Sequence, residues 1–219
     1  MSTQVASYYE LVSQLPADTV ITFRGVSWEE YEELLDQVVE AGGLRISYDT
    51  GTLTVMTTSS EHEKYARFFE GIMTVIRLRR RTNILSFGSA TMRKRIKAKG
   101  SEPDACFYVQ TAAALGNRMQ IDFAVDPPPD IAVEIDIHHD SLSKFSIYAG
   151  LEVPEIWRYD GERLSIFHLQ EDHYIAQDAS RALPVLTGRV LTDFLTRLRA
   201  EGDSAAILAF DEWLSSQES

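Results

Sequence analysis

The sequence predicts a single α/β or α+β domain, with a mixed group of strands flanked by helices. Three observations point there. Helical and strand-like patterns alternate along the chain in the order helix, hairpin, helix, three or four strands, helix, strands, helices. The stretch Asp130 to Ile137 is a short Val- and Ile-containing run behind Pro127-Pro128-Pro129, as a buried strand requires. The 219 residues are 44% hydrophobic and 25% charged, enough to bury one sizeable core, and they contain no repeat or low-complexity linker.

Residues 1 to 16 form a helical stretch that ends at Pro16, and residues 1–24 read as an N-terminal extension. Ser27 with Glu30 three positions later is a capping box, opening a helix that should run to Ala41 and stop at Gly42-Gly43. Leu44 to Asp49 and Thr52 to Thr57 around Asp49-Thr50-Gly51 read as a β-hairpin. Ser60 with Glu63 is a second capping box, and Tyr65, Phe68, Phe69, Ile72, Val75 and Ile76 recur at helical spacing as far as Arg81. Ile84 to Phe87 and Ser89 to Arg95 read as one strand interrupted by a bulge at Gly88. Ala105 to Val109 is a strand, and a polar excursion with a further apolar run at Ile121 to Val125 leads to the strand 131–137. Asp140 or Ser141 can cap a helix through Lys144 to Gly150. Pro154 to Tyr159 and Arg163 to Leu169 form a hairpin around Asp160-Gly161, Tyr174-Ile175 adds a short strand, and helices at 191–199 and 205–214 follow. The domain spans residues 25–200, with 201–219 packed on it or trailing it.

The chemistry collects around the 131–137 strand. A carboxylate inside a buried strand is costly unless paired or bound to a metal. Glu134 and Asp136, two apart, share one face, and their mutual repulsion favours a cation. Lys144 follows within a helical segment, and Glu102-Pro103-Asp104 opens another apolar run. Two acidic strands and a lysine are the parts of a metal-dependent phosphodiesterase site. Each part also has a plain reading: Asp104 as a strand-entry cap, Glu134 with Lys144 as a structural ion pair. Glu61 and His62 stand one turn before the apolar stripe, so one of them can look into a cleft, while Glu63 suits the reciprocal cap. His62 is no zinc-protease ligand, because no second histidine occupies position 66. His138 and His139 read as loop residues at a strand end, and Trp157 as core.

The net charge of −12 argues against a whole-surface DNA binder, but residues 71–101 contain nine bases and no acid. That asymmetry fits a local phosphate-binding face, and equally the solvated ends of a helix and a strand. Cys106 is the only cysteine and reads as a small buried apolar residue, which excludes an intrachain disulfide and a cysteine-based zinc site. No apolar run reaches membrane-span length and the N-terminus lacks a signal-peptide pattern, so a cytoplasmic location is expected.

The segments EHEKYARF, GSATMRKR, EPDACFYV, PPPDIAVEIDI, SLSKFSIYAGLEVPEIWRY and ERLSIFHL, in this order, resemble the Uma (Uma-two type) family of bacterial restriction-endonuclease candidates, formerly a domain of unknown function. The resemblance covers roughly residues 25 to 200. It implies a restriction-endonuclease-like PD-(D/E)XK fold, a mixed central β-sheet flanked by helices, here with an N-terminal helix and hairpin. Pro103-Asp104 resembles the PD of that motif and Glu134 its second acid. Asp136 stands where the wider superfamily has lysine, and Lys144 on the following helix resembles this family's lysine.

The implied activity is Mg²⁺-dependent DNA endonucleolysis, with Mn²⁺ as a substitute ion. Asp104, Glu134 and the backbone carbonyl of Ile135 would hold the ion. Lys144 would stabilise the transition state, and Asp136 would bind a second ion or pair with Lys144. His62, Arg93, Arg95 and Lys97 form the substrate-binding set. The alternative is a catalytically silent nuclease-fold protein that binds nucleic acid or another partner; net acidity and Asp136 favour it, while the intact Asp104, Glu134 and Lys144 set favours the nuclease. Nucleases that cut both strands are often homodimers, and no stretch of this sequence identifies such an interface.

Overall fold

A computed structural model describes residues 5–38 and 43–217 of the chain. The expected helix stop at Ala41 and Gly42 and the first four residues of the N-terminal helix lie outside the described residues. The elements are α1 (Val5–Val12), β1 (Val20–Arg24), α2 (Trp28–Val38), β2 (Leu44–Asp49), β3 (Thr52–Thr57), α3 (Ser60–Arg80), β4 (Leu85–Ser86), β5 (Met92–Lys94), β6 (Lys99–Ser101), β7 (Ala105–Tyr108), α4 (Ala112–Leu115), β8 (Ile131–Ile135), α5 (Phe145–Gly150), β9 (Glu155–Tyr159), β10 (Leu164–Gln170), β11 (His173–Gln177), α6 (Gly188–Glu201) and α7 (Asp203–Ser216).

The strands form two sheets. The larger has six strands in the order β11-β10-β9-β8-β7-β4. It is mixed: β8 and β9 run parallel, joined by the α5 crossover, and the other neighbours are antiparallel. The smaller is antiparallel with five strands, β1-β3-β2-β6-β5. Residues 20–24 therefore belong to a sheet rather than to an appended tail.

β8 is covered on both faces, which is why all five of its residues are buried. Ile131, Val133 and Ile135 face the main core with Phe68 and Phe69 of α3 and Trp157 of β9. Ala132 faces the other way, against Ile147 and Tyr148 of α5. Period-two alternation therefore puts Glu134 on the α5 side. α7 packs on α3 and α6 through Ala206, Phe210 and Leu214, so residues beyond 200 complete the main core. Cys106 is fully buried in β7, and burial pushes its thiol up to about 12.

Several expectations are corrected. The run 84–95 is not one bulged strand. β4 and β5 lie in different sheets, and Gly88, at φ +56°, is part of the turn between them. Ile121 to Val125 forms no strand. The lysine-bearing helix begins as a 3₁₀ turn, Leu142–Lys144, before α5. The Ser27–Glu30 box forms in both directions, with Ser27 N donating to Glu30 Oε2 at 2.7 Å and Glu30 N to Ser27 Oγ at 3.2 Å. The second box does not form. Ser59 caps α3 by accepting from His62 N at 3.4 Å, and Glu63 instead accepts from Arg45 at 2.8 Å.

Candidate active site

Two acids meet where β7 and β8 lie side by side. Ala105 pairs with Val133, so Asp104 stands beside the C-terminal half of β8. Its backbone N–H donates to Val133 O at 2.9 Å, and its Oδ2 accepts from Ile135 N at 2.7 Å. The carboxylate thus takes up a backbone N–H of β8 just beyond the paired residues of β7. Its Oδ1 accepts from Arg45 Nε at 3.1 Å, and the same guanidinium donates to Glu63. His62 Nε2 lies 3.2 Å from Oδ2, within reach of charge interaction with the carboxylate. Burial pushes the Asp104 carboxyl up, but His62, Lys144 and Arg45 outweigh it and hold it below the usual carboxylate range.

Glu134, 1% exposed, is held at both oxygens. Lys144 Nζ donates to Oε2 at 2.8 Å, and the Tyr148 hydroxyl donates to Oε1. Burial pushes Glu134 up to about 7 despite the lysine's charge. Burial alone would lower Lys144, but Glu134 and Asp104 raise it, so the ammonium stays charged. Burial and the charge of Glu134 push the Tyr148 phenol well above its ordinary value, which keeps it a donor.

Asp136 does not pair with Lys144. Its Oδ2 accepts from Ser141 N and Ser141 Oγ, both at 2.9 Å, and from Arg158 Nε on β9. A nearer guanidinium and a loop N–H capture it, and the result pins residues 137–141, which lead into the turn carrying Lys144. His139 Nε2 lies 2.6 Å from Asp18 O, and His138 is 3.9 Å from the Asp18 carboxylate, so both face the segment before β1.

The basic stretch divides. Arg77, Arg79 and Arg80 end α3 and Arg81 caps it, roughly 22 to 28 Å along the helix from His62 at 1.5 Å per residue, so they stand away from the acids. Arg79 pairs with Asp211 of α7. Arg93 and Arg95 border a cleft of about 920 Å³ that Arg45 and Glu63 also line, and Lys97 is not on that wall. Arg95 is engaged by Glu29 and Glu32 of α2, Lys94 by Glu152 and Lys99 by Asp49.

The donor set suits a hard divalent cation, since two buried carboxylates offer oxygen and such ions keep several waters. Among the described residues no three His, Cys, Asp or Glu side chains converge as ligands.

Arg45, Tyr148 and Ser101 are site residues that sequence reasoning missed. Tyr148 had a signal, standing one helical turn after Lys144 at i+4. Arg45 shows as a buried base inside an apolar strand. Ser101, within Lys-Gly-Ser, carries no signal.

Fold and site together define an α/β protein with an Asp–Glu–Lys constellation at neighbouring strands of a mixed sheet. The sequence profile of the Uma2 family, described as "Putative restriction endonuclease", matches residues 28–199, and the chain belongs to that family. No curated protein matches the chain. Among solved structures, the crystal structure of "a putative nuclease belonging to DUF820" from Anabaena variabilis ATCC 29413 is similar, at 16% identity over 68% of this chain and 89% of that chain, with a TM-score of 0.45. No described helix is long and apolar enough to cross a membrane.

Proposed function

We propose that this protein is a divalent-cation-dependent endonuclease that hydrolyses phosphodiester bonds in DNA. The observation that carries the reading is the pair of buried acids Asp104 and Glu134 with the partly buried Lys144, whose Nζ lies 2.8 Å from Glu134. Asp104, Glu134 and the Ile135 carbonyl would hold Mg²⁺ or Mn²⁺. Such an ion, when bound, polarises the scissile phosphate and lowers the pKa of a bound water.

The chain's own residues do the rest. Lys144, kept charged by its acidic neighbours, offers a fixed positive group to the charge that develops on the phosphoryl oxygens. It takes the place of a lysine two positions after Glu134, and Asp136 supports it by pinning the loop through Ser141. Arg45 orients Asp104 from the opposite sheet. Arg93 and Arg95, on the cleft wall, would meet flanking phosphates, with Lys97 off that wall and His62 buried beside Asp104.

A second reading, a silent nuclease fold that only binds, is favoured by one observation. Both oxygens of Asp104 and both of Glu134 already accept hydrogen bonds from the chain. Cleavage of supercoiled, linear and single-stranded DNA, with Mg²⁺ and with chelator, separates the two. The nuclease reading requires metal-dependent products that Glu134→Gln and Lys144→Met abolish. DNA retained without cleavage by all three proteins would establish the binding-only reading.

A further inference from the structure

We propose that Tyr148 is a positioning residue for Glu134, anchored through Ser101 to the five-stranded sheet, and that it keeps the carboxylate in place when Lys144 turns to the phosphate. The proposal rests on the phosphodiesterase reading of the site.

Tyr148 is fully buried on α5 and donates its hydroxyl hydrogen to Glu134 Oε1. The same hydroxyl accepts from Ser101 Oγ at 3.1 Å, and Ser101, on β6, is also fully buried. A chain of hydrogen bonds therefore runs from the smaller sheet through α5 to the acid on the larger sheet. A parallel tie comes from β2, where Arg45 holds Asp104. The smaller sheet thus backs both carboxylates.

The two donors on Glu134 are not equivalent. Lys144 is a cation and is the group that phosphate would attract. Tyr148 is a neutral donor, so it fixes the carboxylate without cancelling the charge a metal ion needs. Once the lysine shifts, the phenol still holds Glu134 by its other oxygen, and Ser101 fixes the phenol in turn. The plain alternative is that Tyr148 only fills space among Met92, Ala132, Ile147 and Leu151. Phenylalanine fills the same space, so removing the hydroxyl alone distinguishes the two roles.

The test uses the full chain as wild type, Tyr148→Phe and Ser101→Ala, with Mn²⁺ affinity by calorimetry, DNA cleavage kinetics and circular dichroism. Tyr148→Phe is expected to weaken Mn²⁺ binding and lower kcat, each about 10- to 100-fold, while KM for DNA changes less than about twofold. Ser101→Ala should move both in the same direction by less, and it decides the matter if Tyr148→Phe does not fold. Wild-type Mn²⁺ affinity and kcat in Tyr148→Phe would overturn the proposal, as would a loss confined to KM. A wild type that binds Mn²⁺ but cuts no DNA refutes the nuclease reading alone, and the Mn²⁺ affinities then decide the role of Tyr148. A wild type that neither binds Mn²⁺ nor cleaves overturns both.

Discussion

Removing Lys144 by Lys144→Met tests how the buried charges are balanced. The ammonium lies 2.8 Å from Glu134 Oε2, and the two side chains are 13% and 1% exposed. Breaking a buried pair from one side costs about 3–5 kcal/mol, because the other charge is left uncompensated. Glu134 has an escape, since burial already pushes it up to about 7, and without the lysine it takes a proton more readily still. Each pH unit of that uptake costs about 1.4 kcal/mol, so near neutral pH the loss falls to about 3 kcal/mol. Glu134→Gln strands a lysine that still feels Asp104 and should cost about 2 kcal/mol. The double variant leaves no stranded charge and should also cost only about 2 kcal/mol, a coupling of about 3 kcal/mol. Urea unfolding of the four proteins at pH 7.5 measures this through the midpoints, with unchanged m-values confirming that the native state is intact. Additivity within about 0.5 kcal/mol would refute the reasoning, because two side chains that ignore each other are not a buried ion pair.

Other consequences follow from the same geometry. Arg93→Ala with Lys97→Ala should weaken DNA binding and lower the slope of log affinity against log salt by about 1 for each phosphate no longer neutralised, whereas Arg77→Ala with Arg81→Ala should leave both unchanged; fluorescence anisotropy at several salt concentrations checks this. Gly100→Ala would drive its Cβ into the Tyr31 hydroxyl, so it should cost about 1–3 kcal/mol, and Tyr31→Phe in the same chain should recover part of the loss in thermal unfolding. Burial raises Asp49, but hydrogen bonds from Lys99 and Ser146 outweigh it and hold the carboxyl below the usual range. That stabilisation is complete above the ordinary aspartate value near 4 and is lost as pH falls through the lower folded value, so Lys99→Met should shift acid unfolding to higher pH.

Much of the fold was legible where local signals and burial agree. The run 131–137 reads as a buried strand, and the strand forms over Ile131–Ile135, covered on both faces. The Ser27–Glu30 box reads correctly because both partners lie within four residues. Glu63 misled because Ser59 and Ser60 offer two capping frames, and the base that claims the glutamate, Arg45, comes from a strand eighteen positions earlier. β6 was invisible, since Lys99-Gly100-Ser101 has no apolar pattern and is a strand only through its neighbours β2 and β5. Without it the second sheet could not be inferred. At the site, Asp104, Glu134 and Lys144 stand out as charges in apolar contexts, and the structure brings them together. The partner of Asp136 was not legible, because Arg158 reaches it from a parallel strand after a crossover.

The central claim is that Asp104 and Glu134 form a metal site. Calorimetric titration of Mg²⁺ and Mn²⁺ into wild type, Asp104→Asn and Glu134→Gln, all verified as folded, tests it most directly. Binding by the wild type that disappears in both variants is the predicted result. Equal binding in all three proteins, or none in the wild type, would contradict it.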